Sequence, residues 1–196
     1  VAPTLNLNFA RTKVLDPRIT FTRGSTATYV DSDGIIKSAA ANVARFDHDP
    51  VSGDSLGLLI EEARTNDVTY SQYFTGTNWD VKTNINVIPN AGLAPDNTFT
   101  ATNVVPTTTN SYHQISLYNP HVSASAVSVF VKANGYNRIS LIQNGFQNNG
   151  IYDFNLSTGT AASANSSITA YPNGWYRVVV NYSTSLNRFD IYFYDN

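Results

Sequence analysis

Gln114-Ile115-Ser116-Leu117-Tyr118 and Val127-Ser128-Val129-Phe130-Val131-Lys132 decide the fold. In the first, Ile115 and Leu117 alternate with polar and aromatic residues. In the second, three valines alternate with Ser128, Phe130 and Lys132. A period of two is the spacing of a strand with one face buried and one face open. The pattern continues at Ile139 and Leu141, and at Tyr152, Phe154 and Leu156 before the Ser157-Thr158-Gly159 turn. Tyr171-Pro172-Asn173-Gly174 reads as a turn into a strand over 175–182, and a last strand covers 188–194. Six strands separated by polar turns predict an antiparallel jelly-roll β-sandwich over residues 71–196. Such a fold usually carries eight strands, so one is expected beyond residue 196 or from a neighbour.

Upstream, residues 1–70 predict a shorter-stranded β-rich segment. Leu5, Leu7 and Phe9 alternate with Asn6 and Asn8, and Ile19, Phe21 and Arg23 alternate with threonines, so both read as strands. Residues 26–30 and 35–37 flank Asp31-Ser32-Asp33-Gly34 as a hairpin. After the polar loop at 47–54, residues 56–64 are the best helical candidate, but Gly57 and the run Leu58-Leu59-Ile60 read equally well as a buried strand. No apolar residues recur at 3.6 spacing over three turns, so no long helix is predicted. The fold class is all-β throughout.

Composition agrees. Asn, Thr and Ser make up 62 of 196 residues, charged residues only 13%, and aromatics 12%. That many aromatics with so little charge is the reverse of a disordered chain. The net charge of −2 comes without any basic cluster, so no nucleic-acid partner is expected. No apolar run approaches the roughly 20 residues of a membrane helix, so no membrane insertion is expected. Val1-Ala2-Pro3 shows no leader pattern, and the absence of Cys removes disulfides and thiolate chemistry. Charge is concentrated early: residues 1–64 hold seven of the twelve basic and eight of the fourteen acidic side chains.

The N-terminal third carries a resemblance. Thr4-Leu5-Asn6-Leu7-Asn8-Phe9-Ala10, Leu15-Asp16-Pro17-Arg18-Ile19-Thr20-Phe21-Thr22-Arg23, Ser25-Thr26-Ala27-Thr28-Tyr29-Val30, the stretch 41–50, and Gly57-Leu58-Leu59-Ile60-Glu61-Glu62-Ala63-Arg64-Thr65-Asn66 resemble a segment recurrent in tailed-phage virion proteins. Phe130-Val131-Lys132-Ala133, Phe154-Asn155-Leu156-Ser157-Thr158-Gly159 and Pro172-Asn173-Gly174-Trp175-Tyr176-Arg177 are similar to a carbohydrate-binding-module-like jelly roll. The resemblance implies a virion part made in the bacterial cytoplasm: a tail fibre, spike or head decoration. Its partners would be other virion proteins, further copies of itself (a trimer being one form), and a host surface glycan. An unpaired final strand would give self-association a physical route.

Chemistry-bearing groups are sparse. Asp47-His48-Asp49 and Asp31-Ser32-Asp33-Gly34 have metal-capable side chains but sit in turn-forming sequence. Adjacent Glu61 and Glu62 point to opposite sides of an extended chain and suit ion pairs with Arg45 and Arg64 better than sugar cleavage. No nucleophile elbow and no phosphate-cradling glycine loop occurs. No catalytic residue, cofactor or metal is therefore expected. Sugar rings offer apolar C–H faces to aromatics and hydroxyls to amides, so the glycan-binding candidates are Tyr112, Gln114, Tyr118, Tyr136, Asn144 and Phe146. The first three fall on the strand face opposite Ile115 and Leu117, which is expected to be exposed. Trp175, placed straight after a turn, is expected to anchor a corner.

Overall fold

A computed structural model describes residues 5, 7–68, 70–76, 79, 81–118, 126–143, 150–182 and 188–194. It is all-β, with an N-terminal β-rich segment followed by an antiparallel jelly-roll sandwich. Among the described residues no helix is long and apolar enough to cross a membrane. The chain forms two compact units. One comprises Val1–Arg64 with the short pieces Pro95–Asn97 and Tyr171–Asn173; the other comprises Thr65–Ala94, Thr98–Ala170 and Gly174–Asn196.

The first unit contains one helical turn, α1 (Phe9–Thr12), and two hairpins, β1 (Ala27–Val30) with β2 (Ile36–Ala39) and β3 (Phe46–His48) with β4 (Ser55–Leu58). Its apolar core is small, so polar side chains join the pieces. The Asp47 carboxylate accepts from Val30 N–H (2.7 Å), and the His48 ring bonds the Val30 carbonyl (3.0 Å). Buried Arg45 donates to the Thr28 carbonyl and to Glu61 (both 2.7 Å), while Glu62 pairs with Arg64 (2.6 Å). Arg23 donates to the carbonyls of Ser25, Ala39, Ala40 and Val43.

Three sequence expectations fail here. Phe9 starts a helical turn instead of ending a strand, because the Asn8 side chain caps the Arg11 N–H (3.2 Å) and Lys13 closes the turn in the left-handed region. Leu5 and Leu7 are exposed. Residues 19–23 lie in no strand: Ile19 N–H bonds the Asp16 carbonyl in a turn, and the Arg23 backbone pairs with Asn42 instead of a ladder. β4 stops at Leu58, and Ile60 is exposed.

The second unit is the sandwich. Its strands are β5 (Val81–Thr83), β6 (Ile85–Gly92), β7 (Ala101–Pro106), β8 (His113–Tyr118), β9 (Ala126–Val131), β10 (Arg138–Gln143), β11 (Gly150–Asn155), β12 (Thr160–Ala161), β13 (Ser166–Tyr171), β14 (Trp175–Asn181) and β15 (Arg188–Tyr194). One sheet runs β12-β11-β10-β15-β8-β5, a second β13-β14-β9, and β6 pairs with β7. The chain passes from sheet to sheet between β8, β9 and β10, and again between β14 and β15. That switching is what encloses a core between two sheets.

Alternate residues fill the core: Ile115 and Leu117 from β8, Ile139 and Leu141 from β10, Phe154 from β11, Phe189 and Ile191 from β15, and Val178 and Val180 from β14. Register fixes this. Ile191 stands between Leu141 and Ile115, and Phe189 between Gln143 and Leu117. The final strand lies between β10 and β8, in the middle of its sheet. Its edges are both paired, which removes the route to self-association expected from an open last strand.

Candidate functional site

Because the aliphatics of β8, β10 and β15 point inward, the intervening residues stand on the other side of the six-stranded sheet. The register lays them out in rungs: Tyr118 opposite Arg188; Val81, Ser116, Asp190, Ile142 and Ile151; then Thr83, Gln114, Tyr192, Ser140 and Asp153. Tyr112 enters just before β8, its carbonyl accepting from the Asn84 amide (3.0 Å) and its ring 6.0 Å from that of Tyr192.

Tyr112 and Tyr118 are 56% and 40% exposed and mark the two ends of this row. Six residue steps along an extended chain separate them by roughly 20 Å, the reach of an oligosaccharide more than of one ring. Between them the row is polar but buried, Gln114, Ser116, Asp190 and Tyr192 all being covered. The Arg188 guanidinium lies 4.9 Å above the Tyr118 ring and pairs with Asp190 (2.8 Å). Asp190 is wholly buried. Its Oδ2, the Ser116 hydroxyl and Gln114 Oε1 find no hydrogen-bond partner among the described residues. On the neighbouring strands the Tyr194 hydroxyl, Ser140 and Asp153 form one hydrogen-bonded cluster, and Arg138 stacks 5.4 Å from the Tyr194 ring.

Burial pushes the Tyr192 phenol up to about 12, with the Asp190 charge adding to it. Tyr194 rises to about 12 as well, through burial and its hydrogen bond to Asp153. Burial works against the Arg188 cation, yet the hydrogen bond and charge of Asp190 carry it upward. The face therefore keeps two neutral phenols and compensated charges across the physiological range. Asp153 and Asp190 are two strands and one rung apart, roughly 12 Å between backbones by strand spacing.

The sequence candidates fare unevenly. Tyr112, Gln114 and Tyr118 share this face. Gln114, expected to be exposed, is only 5% so, because β8 is flanked by β15 and β5 and Tyr192 stands directly opposite it on the same rung. Tyr136 is half-buried and packs edge-on against His113 (6.2 Å) outside the row. Asn144 and Phe146 lie outside the described residues. Sequence reasoning missed Arg188, Asp190 and Tyr192. Their alternation with Phe189, Ile191 and Phe193 was a legible signal for the same face.

The other acidic motifs are occupied by backbone. Asp31 Oδ1 accepts from Asp33 and Ile35 N–H, and Asp49 Oδ1 from Val51 and Ser52. The latter pair of bonds, Ser52 first, holds the Asp49 carboxyl below its ordinary value. Trp175 donates its indole N–H to the Leu93 carbonyl (3.1 Å). Compared with models of known protein families and with curated proteins, the chain matches none.

Proposed function

We propose that the chain is a non-enzymatic component of a tailed-phage virion, a fibre, spike or head decoration. In this reading its N-terminal unit attaches to other virion proteins and its sandwich binds a host surface glycan along β8 and β15. The phage assignment rests on the resemblance of residues 4–66. The glycan assignment rests on one observation: two exposed tyrosines, Tyr112 just before β8 and Tyr118 at its end, with the partly exposed Arg188 stacked over Tyr118 and paired with Asp190. The two exposed aromatic faces take sugar C–H surfaces, and the partly exposed Arg188 takes a hydroxyl, while the buried polar row supports them from behind. The charges here are compensated locally, so a neutral sugar fits best and salt should change its affinity little.

A glycan array followed by titration tests this. Tyr112→Ala and Tyr118→Ala should each cost about 1–2 kcal/mol, or five- to thirtyfold in affinity, with the fold intact. An array without a neutral hit, or a hit indifferent to both substitutions, sinks the glycan reading. The complete burial of Asp190 and Ser116 favours a second reading, a structural wall with no ligand, and the same negative array would select it.

A further inference from the structure

On the opposite sheet, the register places Tyr176 beside Val131, both turned toward the core. Trp175 and Lys132, the next residues outward on each strand, therefore adjoin one another on the sheet's outer side. Arg177 stands two positions further along β14, opposite Phe130, with its guanidinium 3.4 Å from the Ser128 hydroxyl. The hydrogen bond from the indole to Leu93 fixes the Trp175 ring.

Beside that ring is a cavity of about 220 Å³, bounded by Trp175, Lys132, Asn103, Asn134, Gly92 and Ala133 among others. Gly92 and Ala133 leave room before the indole. The Asn134 amide donates to the Asn103 side-chain oxygen (3.3 Å), which holds two amides on one wall. Among the described residues that line the cavity there is no carboxylate, and Lys132 supplies a cation. The volume lies below the roughly 300–1,000 Å³ of drug-sized sites, so it suits one small ring. An aromatic ring, two amides and an uncompensated ammonium are the complement of a sugar with an apolar face, hydroxyls and a carboxylate.

We propose that this cavity binds one acidic sugar ring of the hexuronic acid class, at a site separate from the β8 face. Trp175 stacks on the C–H face, Asn103 and Asn134 meet hydroxyls, and Lys132 meets the carboxylate. Arg177 adds to the positive field.

Methyl glucuronide, methyl glucoside and sodium acetate are the probes, read by nitrogen–proton NMR at low salt. The chain has two tryptophans and Trp79 is buried, so the Trp175 indole N–H is a clean reporter. Glucuronide should shift that resonance with a millimolar constant and bind about 10- to 100-fold more tightly than glucoside. Lys132→Ala should erase the difference and Lys132→Arg preserve it. Tyr118→Ala should leave it unchanged. Lys132 is exposed, so these variants keep the fold even if Trp175→Ala does not. Equal binding of the two glycosides, indifference to Lys132→Ala, competition by acetate as effective as by glucuronide, or loss on Tyr118→Ala would each overturn the assignment.

Discussion

Arg188→Ala is the sharpest probe of the β8–β15 face. Arg188 Nε lies 2.8 Å from Asp190 Oδ1, and the two side chains are 27% and 0% exposed. Asp190 faces Ser116 on one side and Ile142 on the other, and its second oxygen has no partner among the described residues. Removing the cation strands a buried carboxylate, an event that typically costs 3–5 kcal/mol. Arg188 keeps some water around it, so the lower end applies, about 3 kcal/mol. For a chain of this size that lowers the melting temperature by roughly 6–12 °C. Thermal unfolding followed by circular dichroism at neutral pH measures it. Asp190→Asn removes the charge but keeps the shape, so Arg188→Ala with Asp190→Asn should recover much of the loss. A melting temperature within about 1 °C of the parent for Arg188→Ala, or a double variant weaker than the single, would refute the claim that this pair balances a buried charge.

Two further outcomes test other parts of the molecule. Tyr192 and Tyr194 hold their protons up to about 12 when folded, against about 10 in an unfolded chain, so they stabilise the sandwich fully below pH 10 and lose that contribution as pH climbs through 12. Ultraviolet titration should find some tyrosines ionising only as the circular dichroism signal collapses; complete ionisation by pH 11 with the fold intact would contradict this. Gly34→Ala places a methyl 2.5 Å from the Pro50 carbonyl at a φ of +77° and should cost about 2–4 kcal/mol in urea unfolding, whereas Gly24→Ala, with open space around it, should stay within about 0.5 kcal/mol.

The fold was legible where burial is one-sided. In β9 and β14 the solvent face and the core face impose opposite preferences on neighbouring residues, and period two follows; β8 and β15 keep the alternation although both of their faces are buried, because one face is apolar and the other polar. It was illegible where that contrast fades. In β6, Pro89 and Asn90 break an apolar run, and β13 alternates small polar residues with Ile168 alone facing the core. The Leu5-Leu7-Phe9 pattern misled for a different reason. Its side chains alternate, but Asn8 offers the backbone a local hydrogen bond that a ladder would have to outbid.

The site shows the same division at longer range. Gln114 and Tyr118 belong to one strand and Tyr112 leads into it, so their shared face could be read from spacing alone. Arg188 and Asp190 join them only because β15 enters the sheet between β10 and β8, a placement that sequence order does not reveal. The cations of the second unit teach the same lesson in the opposite sense. Along the chain Lys132 and Arg177 are scattered, and scattering argues against acidic ligands. Pairing of β9 with β14 brings them to one side of one sheet, beside an indole held by its own hydrogen bond. Charge clustering in a β-sandwich is a property of register, so a dispersed basic sequence excludes a phosphate-reading face far more securely than it excludes a single-ring site that needs one ammonium.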